Sequence, residues 1–252
     1  MDLSKTGSKT RFDIRITRKL GGVMSASRSF AKRITYDLSR LAARLTAVLL
    51  FRMRCEGREQ IPTEGGILVC SNHQSYLDPL LVGLGCDRRM NYLARDTLFR
   101  SPAFGWLIRW YDAIPIQRDG FGIAGIKETL KRLKRGEMVL IFPEGTRTLD
   151  GTIAPLKPGF CSLARRGKVS LLPVGLAGAY EVWPRDSKFP RRGTIRLRFG
   201  APITPTEVAA MSDEELIDCL QSRISECFEL SCKSISGGDG VGTPPESSTD
   251  GK

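Results

Sequence analysis

Short apolar runs that alternate with helical patterns constrain the fold of this chain more than any other feature of its sequence. Runs of about five apolar residues are typical of strands that are buried on both faces of a sheet. Between these runs, apolar residues recur at three- and four-residue spacing, as they do along one face of a helix. We therefore predict a single α/β layered domain with a mostly parallel central sheet flanked by helices. The strand-like runs are residues 66–70, 90–94, 113–117, 138–142, 171–175 and 194–199.

Local patterns also predict how some of these elements begin and which faces they expose. Ser212 and Glu215 have the spacing of a capping box, which marks the start of a helix. Asp78 is expected to be the N-cap of the helix that follows it. In the last strand-like run, Arg196 and Arg198 alternate with apolar residues, so we expect one face of this strand to contact solvent.

Composition divides the chain into three segments. Residues 1–54 are basic and contain an amphipathic helical pattern from about residue 29 to residue 53. Residues 55–232 hold the strand–helix alternation and are predicted to form the folded domain. Residues 233–252 are rich in Gly, Ser, Pro and Thr, which predicts a disordered tail.

The formal net charge of the chain is +12, and it is unevenly placed. Residues 1–60 hold 14 Lys and Arg against 5 Asp and Glu. A balance of this kind predicts acidic partners: nucleic acid, an anionic membrane surface or phosphorylated substrates. Because no stretch approaches the roughly 18 apolar residues needed to span a bilayer, we expect a protein without a transmembrane segment that is cytosolic or peripheral to a membrane.

The seven cysteines are an odd number and include no C-x-x-C pair. Several of them lie in apolar runs, where thiols behave as small hydrophobic groups. This pattern favours a reducing compartment and argues against a zinc site or a disulfide framework. The cysteines are Cys55, Cys70, Cys86, Cys161, Cys219, Cys227 and Cys232.

Three strand-like runs end in polar, sharply turning segments, which is where α/β folds place their active sites. The first leads into Asn72-His73-Gln74-Ser75-Tyr76-Leu77-Asp78, which holds the only histidine of the chain. The second leads into Gln117-Arg118-Asp119-Gly120, and the third into Pro143-Glu144-Gly145-Thr146-Arg147. If these strands are parallel neighbours, the three segments lie at the same edge of the sheet.

A histidine just past a strand end can meet a carboxylate at the start of the next helix. Asp78 would then orient His73 and stabilise its charged form, as the acid of a hydrolase triad does. The chain has no G-x-S-x-G motif, and a His–Asp pair without its own nucleophile suits activation of a substrate hydroxyl. Alternatively, His73 is an ordinary loop residue, and Arg118 and Arg147 are solvated rather than bound to phosphate.

Together with Leu172-Pro173-Val174-Gly175, these segments resemble in order and spacing the four sequence blocks of the glycerolipid acyltransferases. The most similar branch is that of the 1-acylglycerol-3-phosphate acyltransferases. Asp150-Gly151 and Lys157-Pro158-Gly159-Phe160 also resemble that family. The resemblance covers roughly residues 55–205. One departure is Asp112, which stands where the second block often has a glycine.

The resemblance implies transfer of a fatty acyl group from acyl-CoA or acyl-carrier protein to the free hydroxyl of 1-acylglycerol 3-phosphate, which gives phosphatidic acid for phospholipid biosynthesis. It implies His73 as the general base and Asp78 as the residue that orients it. Neither a metal ion, a cofactor nor a covalent intermediate is expected. The residues implied in binding the substrates are Arg118, Glu144, Gly145, Thr146 and Arg147 on the phosphate side, and Pro173 on the side of the acyl chain or thioester.

The resemblance also implies a role for the basic N-terminal segment. Each Lys or Arg near an anionic surface contributes about 1 kcal/mol of binding, so this segment would hold the enzyme at the cytoplasmic face of a membrane. Three alternatives remain. The acceptor could be another lysolipid, such as a lyso-aminolipid without phosphate, or the chain could be a catalytically inactive scaffold. A nucleic-acid-binding protein is the third, although the chain has no recognition motif and its charge is concentrated in one terminal segment.

Overall fold

A central sheet of seven strands organises the part of the chain that the structure describes. The computed structural model describes residues 30–95, 99–100, 114–116 and 122–237. The strands are β1 (Arg54–Glu56), β2 (Ile67–Ser71), β3 (Met90–Arg95), β4 (Ile114–Ile116), β5 (Met138–Ile141), β6 (Ser170–Ala177) and β7 (Arg196–Phe199). Their order across the sheet is β1-β7-β6-β2-β5-β3-β4. Neighbouring strands are parallel except for β6 and β7, which are antiparallel, so the prediction of a mostly parallel sheet is confirmed.

Helices cover both faces of this sheet. On the described residues they are α1 (Phe30–Phe51), α2 (Asp78–Gly85), α3 (Gly122–Lys134), α4 (Gly159–Gly167), α5 (Ala179–Val182), α6 (Pro205–Ala210) and α7 (Asp213–Ser236). Side chains of β2, β5 and β6 alternate between two apolar cores. One core also contains residues of α1, α2 and α5, and the other contains residues of α3, α4, α6 and α7. The continuous apolar runs of the sequence therefore correspond to strands that are buried on both faces.

Helix α7 packs closely against β6. A Cβ atom on Gly175 would lie 2.2 Å from the backbone nitrogen of Phe228, so only glycine allows this approach. The helix begins with the predicted capping box, in which the side chains of Ser212 and Glu215 each accept a hydrogen bond from the other's backbone N–H. It continues to Ser236, four residues past the predicted end of the folded domain.

The prediction that one face of β7 contacts solvent is wrong. Arg196 is buried, and its guanidinium donates hydrogen bonds to the carbonyl oxygens of Arg52 and Ile195. Arg198 is partly buried and forms an ion pair with Glu56 on β1. Both arginines lie on the side of β7 that α7 covers. The alternation of residues along the strand does not indicate that a helix covers this side.

Helix α1 lies within the basic N-terminal segment and is attached to α2 through its arginines. Arg44 donates to the carbonyl oxygens of Leu84 and Cys86, and Arg40 donates to that of Gly83. These two cations therefore bind the C-terminal end of α2, where carbonyl oxygens have no helical partner. None of the described helices combines the length and the apolar character needed to cross a bilayer. The predictions for residues 1–29 and 238–252 concern residues outside the described ranges.

Candidate active site

The sheet brings two of the three predicted polar segments together. Strands β2 and β5 are parallel neighbours, with Cys70 opposite Ile141 near their carboxyl ends. The chain leaves both strands at the same edge, and the N–H of Thr148 donates to the carbonyl oxygen of His73 at 2.8 Å. The segment 72–78 and the segment 143–147 therefore meet, as the parallel arrangement predicted.

His73 and Asp78 form a hydrogen-bonded pair. The distance between Nδ1 of His73 and Oδ2 of Asp78 is 2.7 Å. The Asp78 side chain is fully buried, whereas that of His73 is 19% exposed. A carboxylate only accepts hydrogen bonds, so the proton of the neutral imidazole lies on Nδ1 and Nε2 is left as the basic nitrogen.

Asp78 also holds the loop between β2 and α2. Its Oδ2 accepts hydrogen bonds from the backbone N–H groups of Gln74 and Ser75, at 2.6 and 2.7 Å. Asp78 is the first residue of α2, and Leu77 occupies the N-cap position without a side-chain bond, so the prediction of Asp78 as the N-cap is wrong. Its carboxylate binds the backbone N–H groups of the preceding loop instead.

Two further contacts fix the histidine. The ring of His73 stacks on that of Phe142, with 3.9 Å between the ring centres and an angle of 15° between the planes. The side-chain amide of Asn72 donates to the carbonyl oxygen of Leu176 and accepts from its N–H, at 2.9 and 2.8 Å. This amide continues the pairing of β2 with β6 by one residue, so the loop leaves the sheet at a defined position.

Glu144 supports the same loop from the neighbouring strand end. Its Oε1 accepts a hydrogen bond from the backbone N–H of His73 at 2.7 Å, and its Oε2 accepts one from Ala154 at 3.0 Å. Burial raises the pKa of this carboxyl from 4.5 to about 7, although both N–H groups act in the opposite direction. Glu144, which was predicted to line the phosphate pocket, is thus placed against backbone donors by the structure.

Arg147 lies above the exposed ring of Tyr76. The guanidinium carbon is 3.5 Å from the ring centre, a geometry in which the cation is attracted to the π face. One of its terminal nitrogens, Nη1, is buried and has no hydrogen-bond partner among the described residues. A guanidinium nitrogen that has no hydrogen-bond partner in the protein is suited to an anionic group of a ligand.

Gly145 makes the turn that separates Glu144 from Arg147. Its φ is +75°, a conformation that favours glycine, and its N–H donates to the carbonyl oxygen of Phe142 at 2.9 Å. Thr146 is exposed at the tip of this turn. The glycine therefore allows the carboxylate to point into the protein while the arginine lies over Tyr76.

Two predicted site residues are not placed in this cluster. Arg118 lies outside the described residues, so its predicted role stays untested. Pro173 is buried within β6, opposite Cys70, and its carbonyl oxygen accepts a hydrogen bond from Gly200 at 3.0 Å. Its predicted position beside the acyl chain or thioester is also untested.

Sequence reasoning missed the residues that connect this cluster to the rest of the domain. The side-chain amide of Gln74 donates to the carbonyl oxygen of Gly151 at 3.0 Å. The hydroxyl of Ser75 donates to the carbonyl oxygen of Trp183 at 3.0 Å. No spacing signal indicates these contacts. The only available signal was the run of polar residues after β2, which indicated a functional loop but not its partners.

The cluster offers a base and a cation but no activated thiol. Cys70 is the cysteine nearest to His73 in the sequence, and burial raises its pKa far above the ordinary range, so it stays protonated. Within the described ranges, no three His, Cys, Asp or Glu side chains are grouped so that they could hold a metal ion. What the described geometry supplies is Nε2 of His73, which can accept a proton, and the guanidinium of Arg147, whose Nη1 has no hydrogen-bond partner among the described residues.

Comparisons with known proteins show which sequences this chain is similar to. The family model described as Acyltransferase matches residues 52–177, which is half of the chain. A 1-acyl-sn-glycerol-3-phosphate acyltransferase of Bacillus subtilis is 30% identical over 67% of this chain and 84% of its own length. A chloroplastic 1-acyl-sn-glycerol-3-phosphate acyltransferase of Arabidopsis thaliana is 25% identical over 80% of this chain, but the match covers only 56% of that longer protein.

A solved structure shows the same fold. The crystal structure of the 1-acyl-sn-glycerophosphate acyltransferase PlsC from Thermotoga maritima matches with a TM-score of 0.68 and 24% identity, and covers 88% of this chain and 86% of that one. The family model spans the strands that carry His73, Glu144 and Arg147. Because this family model matches half of the chain and the Bacillus subtilis relative is 30% identical over 84% of its own length, the chain belongs to the acyltransferase family.

Proposed function

We propose that this protein transfers a fatty acyl group from acyl-CoA or acyl-carrier protein to the free hydroxyl of 1-acylglycerol 3-phosphate, which gives phosphatidic acid. The observation that carries the proposal is the 2.7 Å pair of His73 and Asp78 at the carboxyl end of β2. Nη1 of Arg147, unpaired among the described residues and in the segment that follows β5, supports it. The names of the relatives in Bacillus subtilis and Arabidopsis thaliana support the acceptor.

In the proposed reaction, His73 is the general base. Nε2 removes the proton of the acceptor hydroxyl while the hydroxyl oxygen attacks the thioester carbonyl carbon. Asp78 holds the ring in position and stabilises the imidazolium that forms. When the C–S bond breaks, the leaving thiolate takes the proton from the imidazolium, and the histidine returns to its neutral form. The sequence of steps needs no metal ion, cofactor or acyl-enzyme intermediate.

Arg147 is proposed to bind the phosphate of the acceptor, together with Arg118. Nη1 of Arg147 has no hydrogen-bond partner among the described residues, and the contact of the guanidinium with Tyr76 limits its freedom of movement. Charge-assisted hydrogen bonds of arginine to phosphate are strong and directional. The phosphate would therefore fix the distance between the acceptor hydroxyl and Nε2. Glu144 is proposed to act on the same site through the backbone of His73.

We further propose that the enzyme is peripheral to a membrane, on its cytoplasmic face, and that the outer face of α1 binds the lipid surface. Ala47 and Phe51 turn toward the core, whereas a row of apolar side chains is exposed on the same helix. The exposed residues, called the α1 apolar stripe below, are Leu38, Leu41, Leu45, Val48, Leu49 and Leu50. Exposed apolar rows of this length are unusual on a protein surface and favour contact with lipid.

An acyl-transfer assay with a panel of acceptors tests the proposed reaction. Purified full-length protein is given palmitoyl-CoA or palmitoyl-acyl-carrier protein and one of three acceptors: lysophosphatidate, lysophosphatidylcholine or a lyso-aminolipid. We expect product with lysophosphatidate and at least tenfold less with the other two. A preference for the phosphate-free acceptor would replace the proposed substrate by the alternative one.

The lipid contact of α1 has a separate test. Changing Leu41, Leu45 and Leu49 to Gln leaves the core-facing residues in place, and vesicle flotation then measures membrane binding. We expect weaker binding of this variant to vesicles than of the unchanged protein, because three exposed apolar side chains are lost. Equal binding would rule out the α1 apolar stripe as a membrane contact.

A further inference from the structure

A second exposed basic and aromatic segment lies outside α1. Residues 184–193 lie in the connection between α5 and β7 and are called the basic loop below. Phe189 is 77% exposed, among the most exposed large apolar residues of the described chain. The loop holds one acidic residue, Asp186, against four exposed cations, Arg185, Lys188, Arg191 and Arg192.

Hydrogen bonds within the basic loop give it a defined shape. The indole N–H of Trp183 donates to the carbonyl oxygen of Ser187 at 2.9 Å, and the hydroxyl of Ser187 donates to that of Phe189 at 2.9 Å. The backbone N–H of Arg191 donates to the carbonyl oxygen of Val182 at 2.7 Å. The loop is therefore closed on itself at its base, with Phe189 on its outer side.

The basic loop lies between the candidate active site and the end of α1. On one side, the hydroxyl of Ser75 donates to the carbonyl oxygen of Trp183, and the rings of Tyr76 and Trp183 are 5.5 Å apart. On the other side, the N–H of Ile195, just past the loop, donates to the carbonyl oxygen of Phe51, the last residue of α1, at 3.0 Å. The α1 apolar stripe ends one residue before Phe51.

An exposed aromatic ring with cations around it matches the chemistry of an anionic lipid surface. The ring is favoured at the boundary between headgroups and acyl chains, and each cation near such a surface adds about 1 kcal/mol. We propose that the basic loop is a second membrane contact, in which Phe189 enters the headgroup region and Arg185, Lys188, Arg191 and Arg192 bind lipid phosphates. The role of this contact in catalysis rests on the proposed function: the basic loop would hold His73 beside an acceptor lipid in the membrane.

Tryptophan fluorescence tests whether the loop enters the bilayer. Full-length Phe189→Trp protein is mixed with phosphatidylglycerol vesicles that contain brominated lipid, which quenches indoles inside the bilayer. Leu230→Trp is the matched control, since Leu230 is 37% exposed on α7, on the other face of the sheet. The unchanged protein gives the background of its three tryptophans.

We expect the Phe189→Trp protein to show quenching and a blue shift beyond the background, and the Leu230→Trp protein to show neither. Equal signals from the two variants would overturn the proposal. These vesicles contain neither acyl donor nor lysolipid, so the result is independent of the acyl-transfer reaction. If the protein makes no phosphatidic acid but the Trp at 189 is quenched, the proposed function fails while the membrane contact stands.

A charge variant provides the second measurement. Changing the four cations of the basic loop to Gln is expected to weaken binding to phosphatidylglycerol vesicles by at least about tenfold, with a smaller effect on phosphatidylcholine vesicles. The control variant removes the same charge at the other end of the strands. In this variant four cations shortly before β5 and β6 are changed to Gln: Lys134, Arg135, Arg166 and Lys168.

Equal weakening in both variants would mean that only net charge matters and would overturn the proposal. A different result would overturn it as well: unchanged vesicle binding together with loss of activity confined to acyl-carrier protein as donor. That result would assign the basic loop to the acidic carrier protein.

Discussion

Replacing Asp78 by Asn separates the electrostatic role of this residue from its structural one. The carboxylate lies 2.7 Å from Nδ1 of His73 and is fully buried, so water does not screen the pair strongly. The amide has nearly the same shape, and its oxygen can still accept from the N–H groups of Gln74 and Ser75. Its NH2 group takes the place of Oδ1, which is buried without a partner among the described residues. At the imidazole, the change is the loss of one negative charge.

The magnitude follows from Coulomb's law. Two unit charges about 4 Å apart interact by about 4 kcal/mol at an effective dielectric constant of about 20. This stabilisation acts on the imidazolium formed during acyl transfer, and its loss corresponds to a decrease in kcat of about 10³-fold. The free energy of unfolding is expected to fall by about 1–3 kcal/mol, because the loop N–H groups keep an acceptor but the amide NH2 is buried without one among the described residues.

The assay measures release of CoA from palmitoyl-CoA at saturating lysophosphatidate, beside urea unfolding of the same samples. Asp78→Ala is the matched variant: it leaves two buried N–H groups without an acceptor, which costs about 1–3 kcal/mol each, and so loses both stability and activity. If Asp78→Asn keeps more than a tenth of kcat, Asp78 does not stabilise the imidazolium, and the proposed mechanism is wrong.

Three other changes test separate parts of the structure. The folded chain binds the proton of Glu144 more tightly than the unfolded chain, so the free energy of unfolding should fall by roughly 3 kcal/mol as pH rises from about 4.5 to about 7. Urea titrations should show that Glu144→Gln lacks this component; parallel curves for the two proteins would contradict the raised pKa. Arg147→Ala should lower kcat/KM for lysophosphatidate by roughly 10- to 150-fold and hardly affect a phosphate-free acceptor, whereas equal losses on both acceptors would show that Arg147 does not bind phosphate. Gly175→Ala should destabilise the fold by at least about 1–3 kcal/mol through its clash with α7, while Gly237→Ala, with no atom near its Cβ, should leave the thermal midpoint unchanged.

Much of the fold could be predicted because the sequence repeats a simple pattern. The apolar runs at β2, β5 and β6 are continuous, and a strand needs continuous apolar sequence only when both of its faces are covered. The meeting of His73 with Asp78 could be predicted for a similar reason, since a strand end and the helix that follows it are close in sequence and in space.

Contacts between distant segments could not be predicted in this way. Glu144 binds the N–H of His73 across 71 residues of sequence, and both groups look like ordinary loop residues until the sheet brings them together. Arg196 alternates with apolar residues and so resembles a solvent-facing residue, but α7 covers it. The inward direction of Arg44 is likewise set by the C-terminal end of α2 rather than by its own helix.

The most direct measurement is acyl transfer from palmitoyl-CoA to lysophosphatidate by the full-length protein and by its His73→Ala variant, with phosphatidic acid quantified by mass spectrometry. Removal of the general base should lower the rate by about 10²–10⁴-fold, while circular dichroism and the urea midpoint confirm that the variant is folded. Phosphatidic acid produced by the folded variant at a rate near that of the unchanged protein would show that His73 does not move the proton.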